Sequence, residues 1–539
     1  MAEQAPAAQR RWRAACPNCG APVEFASAAS ASAVCSFCHS TLLRDGDALR
    51  RIGQSAEIFE DYSPLQLGAF GRWAGSGFTV VGRVQRGSEL GNWNEWHLLF
   101  DAGGDPPRIA WLSEDNGRFV LSLEAPLAEL PPEAPAVGLP LTVAGQRWQV
   151  AAVVDAALRA AEGELPRPPT AGRVVELRNE RDEVGTLEYA SSASSASGAA
   201  PVWSIGKTVV LADLALQGLR ATAEGESLAE AKFAGRAIAC PNCGAPLEPK
   251  LAQTKSMVCA QCQAVVDLPE GDAKALGFTA QSPSAPPLIP IGRTGTLSVD
   301  GESPAPWQVV GYQERCDIPE DADDEQSFWR EYLLFNRMAG FAFLVDTREG
   351  WSAVRTLTGA PSGGGRDAGV TWQGRAYAHR WTYGARTTHV LGEFYWPVRL
   401  NDVVQVADYA TRDGQYLLSR EQDRNEITWS GGRPVPADAV QKAFGLSAPA
   451  QFSRDVSAFK SGGNLLRNII IAIFVIAVLF SLLRACSSDD CQQYKQSFGE
   501  NSNEYRQCRS ASRGGGVYLG NSGSGGSYGG YSSGGGGHK

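Results

Sequence analysis

The sequence predicts a mainly β chain in which two four-cysteine ribbons are each followed by a small antiparallel β barrel or roll, before one C-terminal transmembrane helix. Three observations predict this fold class: a cysteine motif that occurs twice, a tandem repeat of strand-like segments behind each copy, and one long apolar segment. We expect the divisions to be a first ribbon (1–50), a first β unit (51–225), a second ribbon (236–270), a second β unit (285–450), a membrane helix (465–483) and a tail (484–539).

The repeated cysteine motif predicts two structural zinc sites. The letters C-P-N-C-G-A-P occur at residues 16–22 and 240–246, and in both copies a second C-x-x-C pair follows after fifteen residues. Structural zinc takes four ligands in a tetrahedron, and each C-x-x-C turn supplies two thiolates. We therefore expect two Zn²⁺ ions, one held by each complete set of cysteines. These sets are Cys16, Cys19, Cys35 and Cys38, and Cys240, Cys243, Cys259 and Cys262.

The second pair of the first motif also has the letters of a haem attachment site, because His39 follows Cys38. The repeat argues against haem, since Gln263 stands at the equivalent position, and the N-terminus shows no apolar export signal. We do not favour a redox role for Cys16 and Cys19, because two C-x-x-C pairs at matched spacing are better explained by one metal ion that binds both pairs. Another metal remains an open alternative to zinc.

The repetition continues beyond the cysteines, which predicts a tandem duplication. Glu95 to Phe100 parallels Glu331 to Phe335, residues 163–165 parallel 392–394, and residues 187–189 are matched to 407–409. Each unit has short runs of Val, Trp, Phe, Tyr and Leu that alternate with polar residues and end at Gly, Asp or Pro, the pattern of β-strands. Small polar stretches at 191–200 and 281–290 are typical of linkers, although the first could also be a loop inside its unit.

The segment 465–483 is almost wholly apolar and has no polar face, so a single membrane span is favoured over a buried helix. Reduced thiols suit the cytoplasm, no signal would export the large N-terminal part, and flanking charge is slightly more positive before the span. We therefore expect the N-terminal part inside and a disordered Gly/Ser-rich tail outside. There Cys491 and Cys508 could form a disulfide, whereas Cys486 could be lipidated or free, and Cys316 is expected to be a structural thiol.

Nothing in the sequence identifies a catalytic residue, and we expect none. Glu95/Glu331 and Glu164/Glu393 are identical acids in both units, but a glutamate that accepts backbone amides at a strand end is a more common explanation than catalysis. Basic and acidic residues balance in both ribbon regions, six against six in 1–60 and three against three in 236–270, and the net charge of the chain is -9. This balance argues against nucleic-acid binding.

The motifs resemble a known bacterial family. The letters C-P-N-C-G-A-P-x-E, S-P-L-Q-L-G at 63–68, W-N-E-W-H-L-L-F at 93–100, G-E-F-Y-W-P-V at 392–398 and V-Q-V-A-D-Y at 404–409 resemble domain of unknown function 4178, which commonly follows a zinc ribbon. The resemblance covers most of residues 16–425 and implies two tandem copies. It implies no established activity, only an association by gene neighbourhood with membrane-stress and polyamine-related genes.

From these observations we expect a single-pass scaffold or adaptor of the bacterial inner membrane, with its ribbon and β units in the cytoplasm. Its expected partners are the membrane and an unidentified protein, for which an oligomer is one candidate. The expected setting of the scaffold is the membrane stress response. An enzyme or small-ligand sensor that uses pockets around Glu164 and Glu393 is the alternative. A nucleic-acid-tethering module is a third interpretation.

Overall fold

The structure is a computed structural model, and it describes residues 12–447 with internal gaps. The gaps are residues 28–29, 46–47, 56–62, 89–91, 102–108, 116–117, 128–134, 191–199, 221–237, 252–253, 269–276, 283, 285, 300, 302, 320–325, 337–338, 364–367 and 424–425. The expected membrane helix, the tail and the cysteines Cys486, Cys491 and Cys508 lie outside the described residues. Within the described part, no helix has the length and apolarity that crossing a membrane requires.

In the described residues of the first ribbon and the first β unit there are fifteen strands and one short 3-10 helix. They are β1 (Trp12–Ala15), β2 (Pro22–Phe25), β3 (Ser32–Val34), β4 (Ser40–Asp45), β5 (Ala48–Gln54), β6 (Phe70–Trp73), β7 (Ser76–Gly87), β8 (Asn92–Phe100), β9 (Ala110–Asp115), β10 (Arg118–Glu124), β11 (Pro140–Val143), β12 (Gln146–Leu165), β13 (Gly172–Arg178), β14 (Glu183–Ala190), β15 (Val202–Val209) and the 3-10 helix Leu211–Leu214.

The second ribbon and the second β unit follow the same plan and end in an α-helix. Their elements are β16 (Ile238–Ala239), β17 (Pro246–Leu247), β18 (Ser256–Val258), β19 (Val265–Asp267), β20 (Gly277–Thr279), β21 (Thr294–Leu297), β22 (Ala305–Ile318), β23 (Phe328–Asn336), β24 (Gly340–Thr347), β25 (Gly350–Thr356), β26 (Ser362–Gly363), β27 (Val370–Trp372), β28 (Arg375–Phe394), β29 (Val403–Ala410), β30 (Leu417–Gln422), β31 (Ile427–Val435) and α1 (Ala437–Phe444).

Eight strands of each β unit pair side by side in a closed antiparallel ring. The order in the first barrel is β7–β8–β9–β10–β15–β14–β13–β12, and β12 pairs back with β7. The second barrel has the order β22–β23–β24–β25–β31–β30–β29–β28, and β28 pairs back with β22. Closure leaves no free edge within either ring. The prediction of a mainly β chain is therefore confirmed.

One long strand in each unit joins the barrel to its ribbon. Strand β12 continues past the barrel and pairs through Gly163–Leu165 with β3, and β28 pairs in the same way with β18. Gly163 has φ +71°, and a Cβ atom there would lie 2.2 Å from the carbonyl oxygen of Val81. Gly392 has φ +84° and an equally close approach to Val310. Only glycine fits this crossing point, so the Gly-Glu pair seen in both units marks the junction.

The match of residues 187–189 to 407–409 is wrong by one strand. Residues 187–189 lie on β14, whereas 407–409 lie on β29, which occupies the position of β13 in its ring. Glu176 pairs with Ala152, and Asp408 pairs with Trp381. Ala152 and Trp381 each lie eleven residues before the junction glycine of their long strand, so Asp408 corresponds to Glu176. The true counterpart of Glu188 is Glu421, because they pair with Val174 and Val406 at the same place in the two rings. A similar apolar-acid-tyrosine pattern on adjacent strands produced the error.

Candidate metal centres and repeated buried polar groups

The structure brings the eight motif cysteines together in two groups of four. Within each group all four sulfur atoms lie within 4.8 Å of one another. In both groups the first and fourth cysteines, and likewise the second and third, have sulfur atoms 3.7 Å apart. A tetrahedron with Zn–S bonds of about 2.3 Å has sulfur–sulfur edges of about 3.8 Å, so the spacing suits a metal ion held by four thiolates. All eight are free cysteines, as is Cys316, which is buried in β22 as predicted for a structural thiol.

All four C-x-x-C turns end in a residue with left-handed backbone geometry. Gly20 and Gly244 follow the first pairs with φ +77° and +76°, and His39 and Gln263 follow the second pairs with φ +53° and +58°. In each turn this residue donates its N–H to the carbonyl oxygen of the first cysteine, at 2.8 or 2.9 Å. His39 is therefore a turn residue in a knuckle whose two cysteines belong to the sulfur cluster. This arrangement favours the metal interpretation over haem attachment.

The sulfurs of the first cluster differ in acidity. Hydrogen bonds with the side chains of Asn18 and Ser40 lower the pKa of Cys38 to about 5. The backbone amide of Ala21 favours the Cys19 thiolate, but the neighbouring thiols and burial outweigh it and raise the pKa of Cys19 to about 12. A metal ion bound by four thiolates must therefore displace protons at neutral pH, so metal affinity rises with pH.

Glu393, one of the acids that the sequence singled out, anchors the second ribbon to its barrel. Its carboxylate accepts hydrogen bonds from the backbone N–H of Lys250 at 2.9 Å, from that of Leu251 at 3.1 Å and from the hydroxyl of Thr254 at 2.7 Å. These three groups belong to the segment that connects the two cysteine pairs. The carboxylate therefore holds the ribbon loop in place, as expected for a strand-end glutamate that accepts backbone amides.

Glu164 makes the same connection in the first unit. It accepts hydrogen bonds from the backbone N–H groups of Ala26 and Ser27, the latter at 3.2 Å. Burial raises the pKa of both Glu164 and Glu393, while the backbone and hydroxyl donors act in the opposite direction. Neither residue lines either of the two described cavities.

A second repeated constellation lies inside the barrels, and the sequence did not reveal it. In the second barrel Arg315 Nη1 donates to Glu331 at 3.2 Å and to Glu421 at 2.8 Å. Glu331 also accepts hydrogen bonds from the indole N–H of Trp329 at 2.7 Å and from the side-chain amide of Gln313 at 2.6 Å. Burial raises the pKa of Glu421 to about 7, because the lowering effect of Arg315 is incomplete and Glu331 adds to the rise.

The first barrel has the counterpart. Arg86 donates to Glu95 at 2.8 Å and lies 3.3 Å from Glu188, and Trp93 donates to Glu95 at 3.0 Å. Strands β7 and β14 are separated by at least two strands around the ring, so the contact between Arg86 and Glu188 crosses the barrel interior. The sequence showed the shared glutamate of β8 and β23. The sequence did not show the arginine or the second glutamate that contact this shared glutamate. Both lie on strands whose distance along the chain from the shared glutamate differs between the two units.

The two barrels contact each other through another buried charged group. Glu426 forms a backbone bridge with Ala152, and burial raises its pKa to about 8, opposed by the nearby Arg178 and reinforced by Glu176. Arg178 is ion-paired with Glu176 and donates to the carbonyl oxygen of Leu357 at 3.2 Å. A carboxylate that is held between the barrels thus favours its neutral form at neutral pH.

These features define a class of protein: a tandem pair of four-cysteine ribbons, each fused to a closed antiparallel barrel that contains a buried arginine–glutamate group. The model of the domain of unknown function DUF4178 matches residues 66–210 and 296–437, which together make up more than half of the chain. The chain therefore belongs to the DUF4178 family, with two tandem copies. The matched ranges cover the barrel strands and leave out the ribbons. Neither a curated protein nor a solved structure matches the chain.

Proposed function

We propose that this chain is a membrane-anchored cytoplasmic scaffold whose ribbons each hold one structural zinc ion and whose barrels present binding surfaces to a protein partner. The zinc assignment is supported by the sulfur spacing and by the all-thiolate donor set, which suits zinc in a closed tetrahedral site. The single C-terminal span is an expectation from the apolar segment 465–483, and the bacterial inner membrane is what the resemblance implies. The resemblance makes membrane stress a candidate setting.

The scaffold proposal is supported by the structural roles of the polar groups that occur in both units. Glu164 and Glu393 hold ribbon loops, and the buried arginine–glutamate groups are enclosed by barrel strands. By contrast, large apolar side chains are exposed on both ribbons and barrels. Phe37, at the knuckle of the first ribbon, is 71% exposed, and Phe328 on the second barrel is 56% exposed. Exposed aromatic side chains of this kind are enriched in protein interfaces.

A small-ligand sensor is the second candidate, and one observation favours it. Glu421 lies against Arg315 with a pKa of about 7, and Arg315 lines a cavity of about 10 Å³ in the second barrel. A perturbed carboxylate beside a cavity is a common property of functional sites. This cavity has room for about one water molecule, so a larger ligand would require the barrel to open.

Crosslinking followed by affinity purification from membranes tests the scaffold. We expect Glu164→Gln and Glu393→Gln to leave partner capture largely intact, because glutamine keeps one acceptor oxygen for the ribbon loop. Cys240→Ser with Cys243→Ser should reduce capture much more than the surface substitution Lys442→Gln, which changes an exposed charged residue of α1. If the glutamine variants fold and capture partners but lose the cellular function, ligand sensing or catalysis becomes the better account.

A further inference from the structure

The two ribbons face their barrels with different side chains. Their first cysteines are residues 16 and 240, so equivalent positions in the two ribbons lie 224 residues apart. In the first ribbon Val34 pairs with Thr41, and in the second Val258 pairs with Val265. Residues directly opposite each other on antiparallel strands point to the same face of the sheet. Thr41 therefore stands on the barrel-facing side of its ribbon where the second ribbon has Val265.

The second ribbon shares the hydrophobic core of its barrel. Leu251, Val258 and Val265 are each at most 9% exposed, and they belong to the same cluster as the barrel residues Phe394 and Trp396. Three aliphatic side chains of the ribbon thus complete the core of the second barrel. Separation of this ribbon would expose all three together with the barrel side chains that they cover.

The first ribbon makes a much smaller apolar contact. Among the described residues of this ribbon, Val34 alone belongs to the cluster that it shares with Trp111 and Leu165 of the first barrel. The positions of the other two aliphatic residues are taken by Ser27 and Thr41. The first ribbon therefore gains little from burial of apolar surface against its barrel.

The barrel side of the contact differs in the same direction. Trp396 and Arg167 both lie two residues past the end of the long strand of their unit. Trp396 is fully buried in the core that ribbon and barrel share. The side chain of Arg167 is 32% exposed and ion-paired with Glu124. The first barrel thus presents a charged residue where the second presents an indole ring.

The first ribbon is held mainly by hydrogen bonds. Strand β3 pairs with the end of β12, and the Glu164 carboxylate accepts the backbone N–H groups of Ala26 and Ser27. The hydroxyl of Ser55 accepts the backbone N–H of Ala161 at 2.7 Å. Water can replace each of these partners when the ribbon and barrel separate, so the net contribution of each bond is modest.

The first ribbon also has a core of its own on its metal-binding side. Phe25 is fully buried there, the Trp12 ring lies 5.3 Å from it, and the guanidinium of Arg44 lies 4.7 Å from the Trp12 ring. Strand β1 pairs with β2 over four residues, whereas β16 pairs with β17 over two. None of these contacts involves the barrel, so they persist when the ribbon leaves it.

We propose that the first ribbon is a movable arm, which separates from the first barrel as a folded, metal-loaded module while the second ribbon stays fixed to its barrel. Separation breaks the pairing of β3 with β12 and withdraws Glu164 from the two ribbon amides. It leaves the sulfur cluster and the core around Phe25 intact. This motion goes beyond the scaffold function, because it does not depend on what the barrels bind.

Hydrogen exchange of the zinc-loaded full chain in detergent, resolved by residue, tests the arm. The reporters are the backbone amides that each junction glutamate accepts, on Ala26 and Ser27 in the first ribbon and on Lys250 and Leu251 in the second. We expect the first pair to open about 100-fold more often. Each of the two additional aliphatic side chains buried in the second junction is worth about a factor of ten.

Amides inside the first ribbon show whether it moves as a folded module. The N–H of Cys16 donates to Ala21, and the N–H of Cys35 donates to Ser40, both within the cysteine turns. We expect these two amides to stay protected while those at the Glu164 carboxylate exchange. Equal exchange of both sets would mean that the ribbon unfolds rather than swings, and this would overturn the proposal.

Reciprocal substitutions at equivalent positions make the result specific to the junction. Thr41→Val should slow exchange at Ala26 and Ser27 about tenfold, and Val265→Thr should accelerate exchange at the corresponding amides of the second ribbon by a similar factor. The matched control is Phe37→Ser, which changes a residue of the first ribbon that is 71% exposed and should alter neither junction. Thermal unfolding checks that each variant is folded.

Equal opening of the two junctions, or a folded Thr41→Val chain with unchanged exchange, would overturn the arm. If this occurred in a chain that carried two zinc ions and captured its partners, the metal centres and the scaffold would stand without it. If the junctions differed as expected but no partner were captured, the scaffold would be wrong and the arm would remain.

Discussion

Replacement of Glu393 by alanine should loosen the second ribbon from its barrel. The substitution removes the acceptor of two backbone amides and one hydroxyl, on Lys250, Leu251 and Thr254. Each buried group left without a partner costs about 1–3 kcal/mol, and relief of the buried carboxylate offsets part of this sum. A net cost of about 3 kcal/mol raises the equilibrium constant for local opening about 100-fold.

Hydrogen exchange of segment 249–256 in the zinc-loaded chain measures this opening directly. We expect exchange at Lys250 and Leu251 to accelerate about 100-fold in Glu393→Ala, with little change in the first ribbon. The matched control is Glu248→Ala, which removes an exposed glutamate from the same ribbon. Unchanged exchange in Glu393→Ala, or an equal change in the control, would refute the anchor argument.

Three further predictions follow from the junction, the barrel interior and the contact between the barrels. Gly392→Ala should destabilise the second barrel by more than about 2 kcal/mol, because its Cβ atom would clash with Val310 at positive φ, and an unchanged midpoint of thermal unfolding would contradict this. Arg315→Met should lower the free energy of unfolding in denaturant by about 3–5 kcal/mol, because it leaves two buried carboxylates without their cation. An unchanged free energy of unfolding would show that both carboxyl groups are protonated in the native barrel. Glu426→Gln should flatten the fall in stability between pH 5 and 8, as monitored by thermal unfolding, and an unaltered pH profile would show that Glu426 is not responsible.

The sign of the last effect follows from proton linkage. Burial first, and then Glu176, raises the pKa of Glu426 from 4.5 to about 8, so the folded chain binds a proton that the unfolded chain has already released. This contribution to stability is fully present below pH 4.5 and is lost as pH rises towards 8. Glutamine cannot titrate, so its variant lacks this pH dependence.

Much of the fold could be predicted because its signals are local. A C-x-x-C pair forms its turn within a few residues, and its repetition after fifteen residues showed both cysteine groups. Alternation of apolar and polar residues predicted the β class of both units, and the Gly-Glu pair at 163–164 and 392–393 was visible as a repeat. Helix α1 was not expected, because eight residues with a short apolar face give too weak a signal.

The features that sequence analysis missed depend on how the ring closes. Arg86 and Glu188 are 102 residues apart, and they meet only because β7 and β14 face each other across the barrel. The register error at 187–189 has the same cause, since neighbouring strands carry similar patterns and only the pairing shows which strand is equivalent.

Zinc content tests the central claim most directly, namely that each ribbon holds its own metal centre through four cysteines. Elemental analysis of the purified chain should give two zinc ions per chain, and Cys240→Ser with Cys243→Ser should give one while destabilising the second unit. The same double substitution should leave exchange protection in the first ribbon unchanged. A chain without zinc, a haem absorption band, or loss of both ions from the double variant would contradict the account.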